Sequence, residues 1–336
     1  MIYEYALDPS LVARWAIEGA GLKVRQFGMD QRRLVSDFPK NWKGRVYGEF
    51  YKQFGYDDSS LDFQHAQPSL DAYLQILEEY MVPRSREISV DADWLSEAIL
   101  EHRQRKFHAI LASNGPEDAP DALITEVSMN EVEDRRWDLP TINRTPKSSS
   151  DISEALGPIL RIASRIFLID PNFSAAKERF LDTFVAILRR ALGSDRALSV
   201  FPAITVITGV ERAHKMKEGE FTPEQMARVA SDICGKAQRE LPRHILSGMA
   251  VHLIVLKNPL YGDPLHNRFV LTDVGGVVVP YGLDKYTGDV RHSAKDDLLP
   301  MPKGMYEELW VQYAELKSAE IVRGPEAILG NRRTCV

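Results

Sequence analysis

His266, Arg268 and Asp273 have the side chains and the spacing for chemistry on a phosphodiester. An imidazole can attack phosphorus or transfer a proton, and a guanidinium can neutralise the non-bridging oxygens with its planar pair of donors. A carboxylate can orient either group through a charge-assisted hydrogen bond. Because these steps need neither a metal ion nor a cofactor, the sequence predicts neither.

A β-hairpin is the element predicted to position these residues. The runs 268–272 and 276–279 are rich in β-branched and apolar residues, and Asp273-Val274-Gly275 between them is typical of a turn. In an extended strand, residues two apart project from the same face. His266 and Arg268 are therefore expected to converge on one point.

Strands and helices are expected to alternate through the second half of the chain. The predicted elements are strands at 165–170, 203–208 and 249–256, helices at 175–192, 222–240 and 305–319, and the closing hairpin. This order favours an α/β fold. We place a domain boundary at 150, so that residues 151–336 form the α/β domain.

Residues 1–150 have mostly helical periodicity, as in Leu70, Tyr73, Leu74 and Leu77, followed by a short strand-like run at 122–127. We therefore expect a mainly helical N-terminal domain of unknown role.

The composition is that of a globular protein with an acidic balance. The chain has 336 residues, 44% of them hydrophobic, and a net charge of −6. An acidic balance argues against wholesale coating of nucleic acid but permits a local basic pocket. Its two cysteines exclude a disulfide framework, and no stretch has the pattern of a secretory signal or a membrane span. A cytoplasmic location is expected.

The spacing of His266, Arg268 and Asp273 resembles the phospholipase-D superfamily motif of His, any residue, Lys, four residues and Asp, with arginine in place of lysine. A closer likeness is to the phospholipase-D-like C-terminal domain of MIT-domain proteins, which has a His-x-Arg start and a Gly-Leu-Asp after the hairpin, as in Gly282-Leu283-Asp284. Asp170-Pro171-Asn172-Phe173 is similar to that group's turn after the first strand. The resemblance covers about residues 151–300 and implies half of a phospholipase-D fold, a mixed sheet flanked by helices.

The resemblance also implies roles for individual residues. His266 is expected to be the nucleophile, Arg268 the phosphate clamp and Asp273 the residue that orients the site. The expected substrate-binding residues are Asp170, Asn172, Gly282, Asp284 and His292. Enzymes of this superfamily use two motifs, whereas this chain has one. A catalytic site would therefore need a homodimer that brings two copies of His266 together.

Two functions follow as expectations. The first is a metal-independent phosphodiesterase or nuclease that acts as a homodimer. The second is a non-catalytic module that binds phosphate on nucleic acid, a nucleotide or a lipid headgroup, for example within a bacterial defence assembly. The superfamily's Gly-Ser and Asn element is missing, and the MIT-linked branch is regarded as a binding module, so both alternatives stay open.

Other polar residues are interpreted as structural. His65, His102 and His108 have no acidic partners at ligand spacing, and the basic run 103–106 is typical of a solvated helix face. Glu126 with Asp121 lacks the lysine that follows the carboxylate in metal-dependent nucleases.

Overall fold

The computed structural model describes residues 1–89, 91–115, 120–126, 136–197, 200–210, 222–257, 268–288, 294–316 and 321–333. The chain forms two compact units. The first unit comprises residues 2–140 and 194–199, and the second comprises Met1, residues 141–193 and residues 200–336. The main division thus lies between Pro140 and Thr141, whereas the sequence analysis placed the boundary at 150.

The first unit is a parallel sheet with helices on both faces. Its strands are β1 Tyr3–Leu7, β2 Arg33–Asp37, β3 Met81–Pro83, β4 Ala109–Ala112 and β5 Leu123–Thr125, and its helices are α1 Pro9–Ile17, α2 Gly21–Val24, α3 Trp42–Gln53, α4 Leu61–Glu78 and α5 Trp94–Gln104. The strand order is β3-β2-β1-β4-β5, and every neighbouring pair is parallel.

Alternate residues of β1 reach two separate cores. Tyr5 and Leu7 belong to a cluster that includes Trp15 and Trp42, on the face that α1, α3 and α4 cover. Ala6 belongs to a second cluster, with Trp94 of α5. The expectation of a mainly helical domain missed this sheet, because strands of three to five residues that are buried on both faces have no alternating pattern.

The second unit is an eight-stranded mixed sheet with helices. Its strands are β6 Asn143–Pro146, β7 Arg165–Ile169, β8 Ala203–Gly209, β9 Ala250–Leu256, β10 Phe269–Thr272, β11 Gly275–Val278, β12 Lys295–Pro300 and β13 Ile321–Leu329. Its helices are α6 Ser149–Ile162, α7 Glu178–Ala191, α8 Pro223–Glu240 and α9 Lys303–Ala314. The α/β class is therefore confirmed.

The strand order of this sheet is β13-β9-β8-β7-β10-β11-β12-β6. Strands β7, β8 and β9 are parallel, and the other neighbouring pairs are antiparallel. The predicted hairpin is confirmed as β10 and β11, which pair between Phe269 and Val278. Strand β6 pairs with β12, which explains why the second unit begins before residue 150.

Local signals set the helix starts in this unit. Thr222 caps α8 in a capping box with Gln225, and Pro223 occupies the first turn, as the sequence predicted. Ser148 caps α6 by accepting a hydrogen bond from the backbone N–H of Asp151. Among the described residues, we find no helix with the length and apolar content needed to cross a membrane.

Candidate functional site

The carboxyl end of β7 and the start of β10 bring two of the predicted site residues together. The antiparallel register pairs Phe269 with Ile169. Arg268, one residue before β10, therefore lies beside Asp170, one residue after β7. Since β7 is parallel to β8, Asp170 lies at the strand edge where α/β sheets usually bind ligands.

Asp170 is a buried carboxylate held by backbone donors. Its side chain accepts a hydrogen bond from the N–H of Asn172 at 2.8 Å and another from the N–H of Leu283 at 2.9 Å. Burial raises the pKa of this carboxyl above its usual range, although both bonds and the charge of Arg268 oppose the shift. Asp170 thus fixes the loop after β11 against the end of β7.

Gly282 occupies the centre of the site. Its φ of +95° lies in the region that favours glycine. A Cβ at this position would lie 3.1 Å from Oδ2 of Asp170, 3.2 Å from Oδ1 of Asp284 and 3.6 Å from Nε of Arg268. These distances show that the three charged side chains surround one point on the backbone.

Asp284 forms ion pairs with two cations that the sequence analysis did not identify. Its carboxylate lies 3.1 Å from Nζ of Lys147 and 3.5 Å from Nε of Arg179. Lys147 also donates to the carbonyl of Tyr281 at 2.8 Å. Lys147 follows β6, and Arg179 lies in the first turn of α7. No short motif signals these contacts, because each joins residues more than 100 positions apart.

Arg268 is held differently from its neighbours. Its Nη1 donates to the carbonyl of Pro280 at 3.2 Å, while its Nε is buried and has no hydrogen-bond partner among the residues that the structure describes. Within the described part of the chain, no carboxylate lies within ion-pair distance of this guanidinium. Arg268 is also partly exposed, so an anion from solvent can reach it.

A second buried acid lies behind Lys147. Asp296 of β12 accepts a hydrogen bond from the N–H of Tyr281 at 3.2 Å, while no described residue donates to its other, buried oxygen. Burial raises the pKa of Asp296, with the charge of Lys147 acting in the opposite direction. Burial thus opposes the ionised form of both Asp170 and Asp296.

Asn172 and Asp273 have roles that differ from the expected ones. Asn172 contributes its backbone N–H to Asp170. Asp273 lies beyond the opposite end of β10, five residues from Arg268, which corresponds to about 16 Å along an extended strand. It accepts hydrogen bonds from the backbone N–H groups of Ser164 and Arg165 and from the Ser164 hydroxyl. The structure therefore separates Asp273 from Arg268.

Two expected site residues, His266 and His292, lie outside the described residues. The nucleophilic role assigned to His266 and the homodimer that it requires stay predictions.

The arrangement can bind an anion through charge and hydrogen bonds. Arg268, Lys147 and Arg179 lie near the Gly282 loop. Within the described part of the chain, the buried Nε of Arg268 has no hydrogen-bond acceptor. A guanidinium suits phosphate because its planar N–H groups match two oxygens. Within the described part of the chain, no group of three His, Cys, Asp or Glu residues is arranged to hold a metal ion.

Comparison with protein-family models, with curated proteins and with solved structures found no match to this chain.

Proposed function

We propose that the second unit binds the phosphate group of a phosphodiester in the pocket formed by Arg268, Lys147, Arg179 and the Gly282 loop. The observation that carries this proposal is the buried Nε of Arg268, which finds no hydrogen-bond partner in the described ranges of the chain. An unsatisfied buried N–H costs about 1–3 kcal/mol, and a phosphate oxygen would satisfy it. Phosphate binding therefore uses a donor that the folded chain leaves unused.

The neighbouring charges support an anionic ligand. Lys147 and Arg179 are both tied to Asp284, so this carboxylate fixes their positions and shares their charge. Gly282 lets the backbone lie close to Asp170, Asp284 and Arg268 at the centre. The pocket thus combines the planar guanidinium of the partly exposed Arg268 with two cations of fixed position.

Binding of a labelled abasic oligomer, a chain of ten deoxyribose-phosphate units, tests the proposal, because this probe presents phosphodiesters without bases. We expect the full chain to bind this probe at low salt, and Arg268→Ala to weaken binding about tenfold through loss of a charge-assisted contact. Fluorescence anisotropy measures the affinity. Arg268→Lys should restore only part of it, because an ammonium lacks the planar fork.

Arg243→Ala is the matched control, because Arg243 is an exposed arginine of the same unit whose partner is Glu240. If Arg243→Ala weakens binding as much as Arg268→Ala does, the effect is one of net charge and the pocket is not the binding site. No binding at low salt would also reject the proposal.

Cleavage is tested by incubating the same mixtures of protein and abasic oligomer with a chelator. The motif predicts that wild type cleaves the oligomer and that His266→Ala does not.

A further inference from the structure

Two exposed tyrosines lie beside the phosphate pocket. Tyr281 is 66% exposed and Tyr286 is 44% exposed. Within the described part of the chain, neither ring stacks on another aromatic ring. An aromatic ring of this size usually buries much of its surface. Two such rings on one loop are therefore available to a ligand.

Hydrogen bonds to Lys147 and Asp296 hold the backbone of both tyrosines. Lys147 donates its Nζ to the carbonyl of Tyr281 at 2.8 Å, and its own carbonyl accepts from the N–H of Tyr286 at 2.8 Å. Asp296 accepts from the N–H of Tyr281. Both rings thus start from backbone that is bonded to Lys147, which also contacts Asp284 of the pocket. A ligand with a phosphate near Lys147 would bring its adjoining group to these rings.

We propose that the pocket binds single-stranded nucleic acid, with one phosphate near Arg268 and the neighbouring bases stacked on Tyr281 and Tyr286. This inference rests on the proposed phosphate-binding function and adds the ligand class. Proteins that bind single strands combine a positively charged path for the backbone with aromatic rings for the bases. In a duplex the base faces are covered by their neighbours, so the rings select unpaired bases.

The loop composition favours nucleic acid over a membrane surface. A segment that inserts into a lipid interface needs exposed apolar area around its aromatic residues. Between the two tyrosines, Leu283 is the aliphatic residue, and it is buried, while Asp284 and Lys285 are charged. The exposed surface of this loop is therefore aromatic and polar, which suits a base attached to a phosphate.

The inference is tested by comparing the affinities for two labelled probes of ten nucleotides or abasic units, namely oligothymidylate and the abasic oligomer. We expect the full chain to bind oligothymidylate at least about tenfold more tightly, since each stacked base adds to the affinity. The double variant Tyr281→Ala with Tyr286→Ala should lose this preference while it keeps its affinity for the abasic oligomer. Retained abasic binding also shows that the variant is folded.

Two further variants separate stacking from other effects. Replacing both tyrosines by phenylalanine should keep the preference, because the ring remains. Phe201→Ala should leave it unchanged, because Phe201 is a half-exposed ring that precedes β8, at the other end of the sheet from Asp170. Loss of the preference in Phe201→Ala would assign the stacking to a different surface and overturn the inference.

The outcomes distinguish this inference from the proposed function. If neither probe binds, or if Arg268→Ala has no effect, the phosphate pocket itself is rejected. If the abasic oligomer binds through Arg268 but oligothymidylate binds no better, only the nucleic-acid assignment fails. Tyrosine-dependent binding to vesicles of phosphatidylserine and phosphatidylcholine, without a preference for oligothymidylate, would replace it with a membrane surface.

Discussion

Arg84 in the first unit and Arg268 in the second show two ways of placing a guanidinium in a fold. Arg84 has no exposed side-chain surface, and it binds Glu4 through Nε and Nη2 at 2.9 and 2.7 Å. Its Nη1 binds Glu101 at 2.7 Å and the carbonyl of Arg105 at 2.9 Å. Among the described residues, Arg268 has one backbone acceptor, and its buried Nε has no partner.

The difference separates a structural arginine from one that is available to a ligand. The charge of Arg84 is compensated by two buried carboxylates, which raise the pKa of its guanidinium against the effect of burial. Such a network holds strands and helix together and offers nothing to solvent. The donors of Arg268 are incompletely used, so the same side chain can serve binding.

The largest effect that we predict follows from breaking the Arg84 network. Arg84→Ala should lower the free energy of unfolding of the first unit by about 3 kcal/mol, because the buried Glu4 would lose its arginine, whereas Glu101 keeps Arg86 and Arg105. Urea denaturation followed by tryptophan fluorescence measures this, since Trp15, Trp42, Trp94 and Trp137 lie in the first unit.

Lys40→Ala is the control for this experiment, because the ion pair of Lys40 with Glu87 is exposed and contributes little. If Arg84→Ala changes the unfolding free energy no more than Lys40→Ala does, the network does not stabilise the first unit and the contrast with Arg268 fails.

A smaller effect should distinguish Asp273 from Arg268, although one motif contains both. Asp273→Ala should destabilise the amino end of β7 by about 1–2 kcal/mol, because the N–H groups of Ser164 and Arg165 lose their acceptor. Hydrogen exchange of the peptide covering 163–170 measures this. The affinity for the abasic oligomer should be unchanged. If Asp273→Ala weakens this binding as much as Arg268→Ala does, Asp273 is part of the phosphate site.

The sequence predicts those parts of the site that depend on local signals. The hairpin of β10 and β11, the buried strand β7 and the capped start of α8 follow from turn chemistry, apolar runs and a Thr-Pro start. Asp170 lies beside Arg268 because β7 and β10 pair in a particular register, and a sequence motif does not specify that register. The fold supplies this geometry, and the role that the resemblance implies for these residues stays a prediction.

The remaining parts depend on contacts that no local pattern encodes. Lys147 lies in a polar stretch that the sequence analysis interpreted as a domain boundary, yet it contacts Asp284, 137 residues away. The sheet of the first unit is also hidden, because its short buried strands resemble segments of buried helix. Asp273 was grouped with Arg268 because the motif counts residues, whereas an extended strand separates them.

The smallest effect concerns the pH dependence of the second unit. Burial raises the pKa of Asp170 in the folded protein above its ordinary value of 3.8, so the folded state holds this proton more tightly than the unfolded chain does. Asp170 therefore lowers the free energy of unfolding progressively as the pH rises from about 3.8 to the raised pKa. Above the raised pKa, this loss stays constant. Asp170→Asn cannot ionise, so its stability relative to wild type should increase over that window.

Urea denaturation of the second unit at a series of pH values measures this difference, and Glu224→Gln supplies a control of opposite sign. Hydrogen bonds at the start of α8 lower the pKa of Glu224 below 4.5, so its contribution to stability is present at higher pH and disappears as the pH falls through the lowered pKa. A wild-type advantage over Asp170→Asn that grows with pH would show that the backbone donors and Arg268 outweigh burial. In that case the two backbone donors and the charge of Arg268 would together stabilise the Asp170 carboxylate, and the contrast between the two arginines would be weaker.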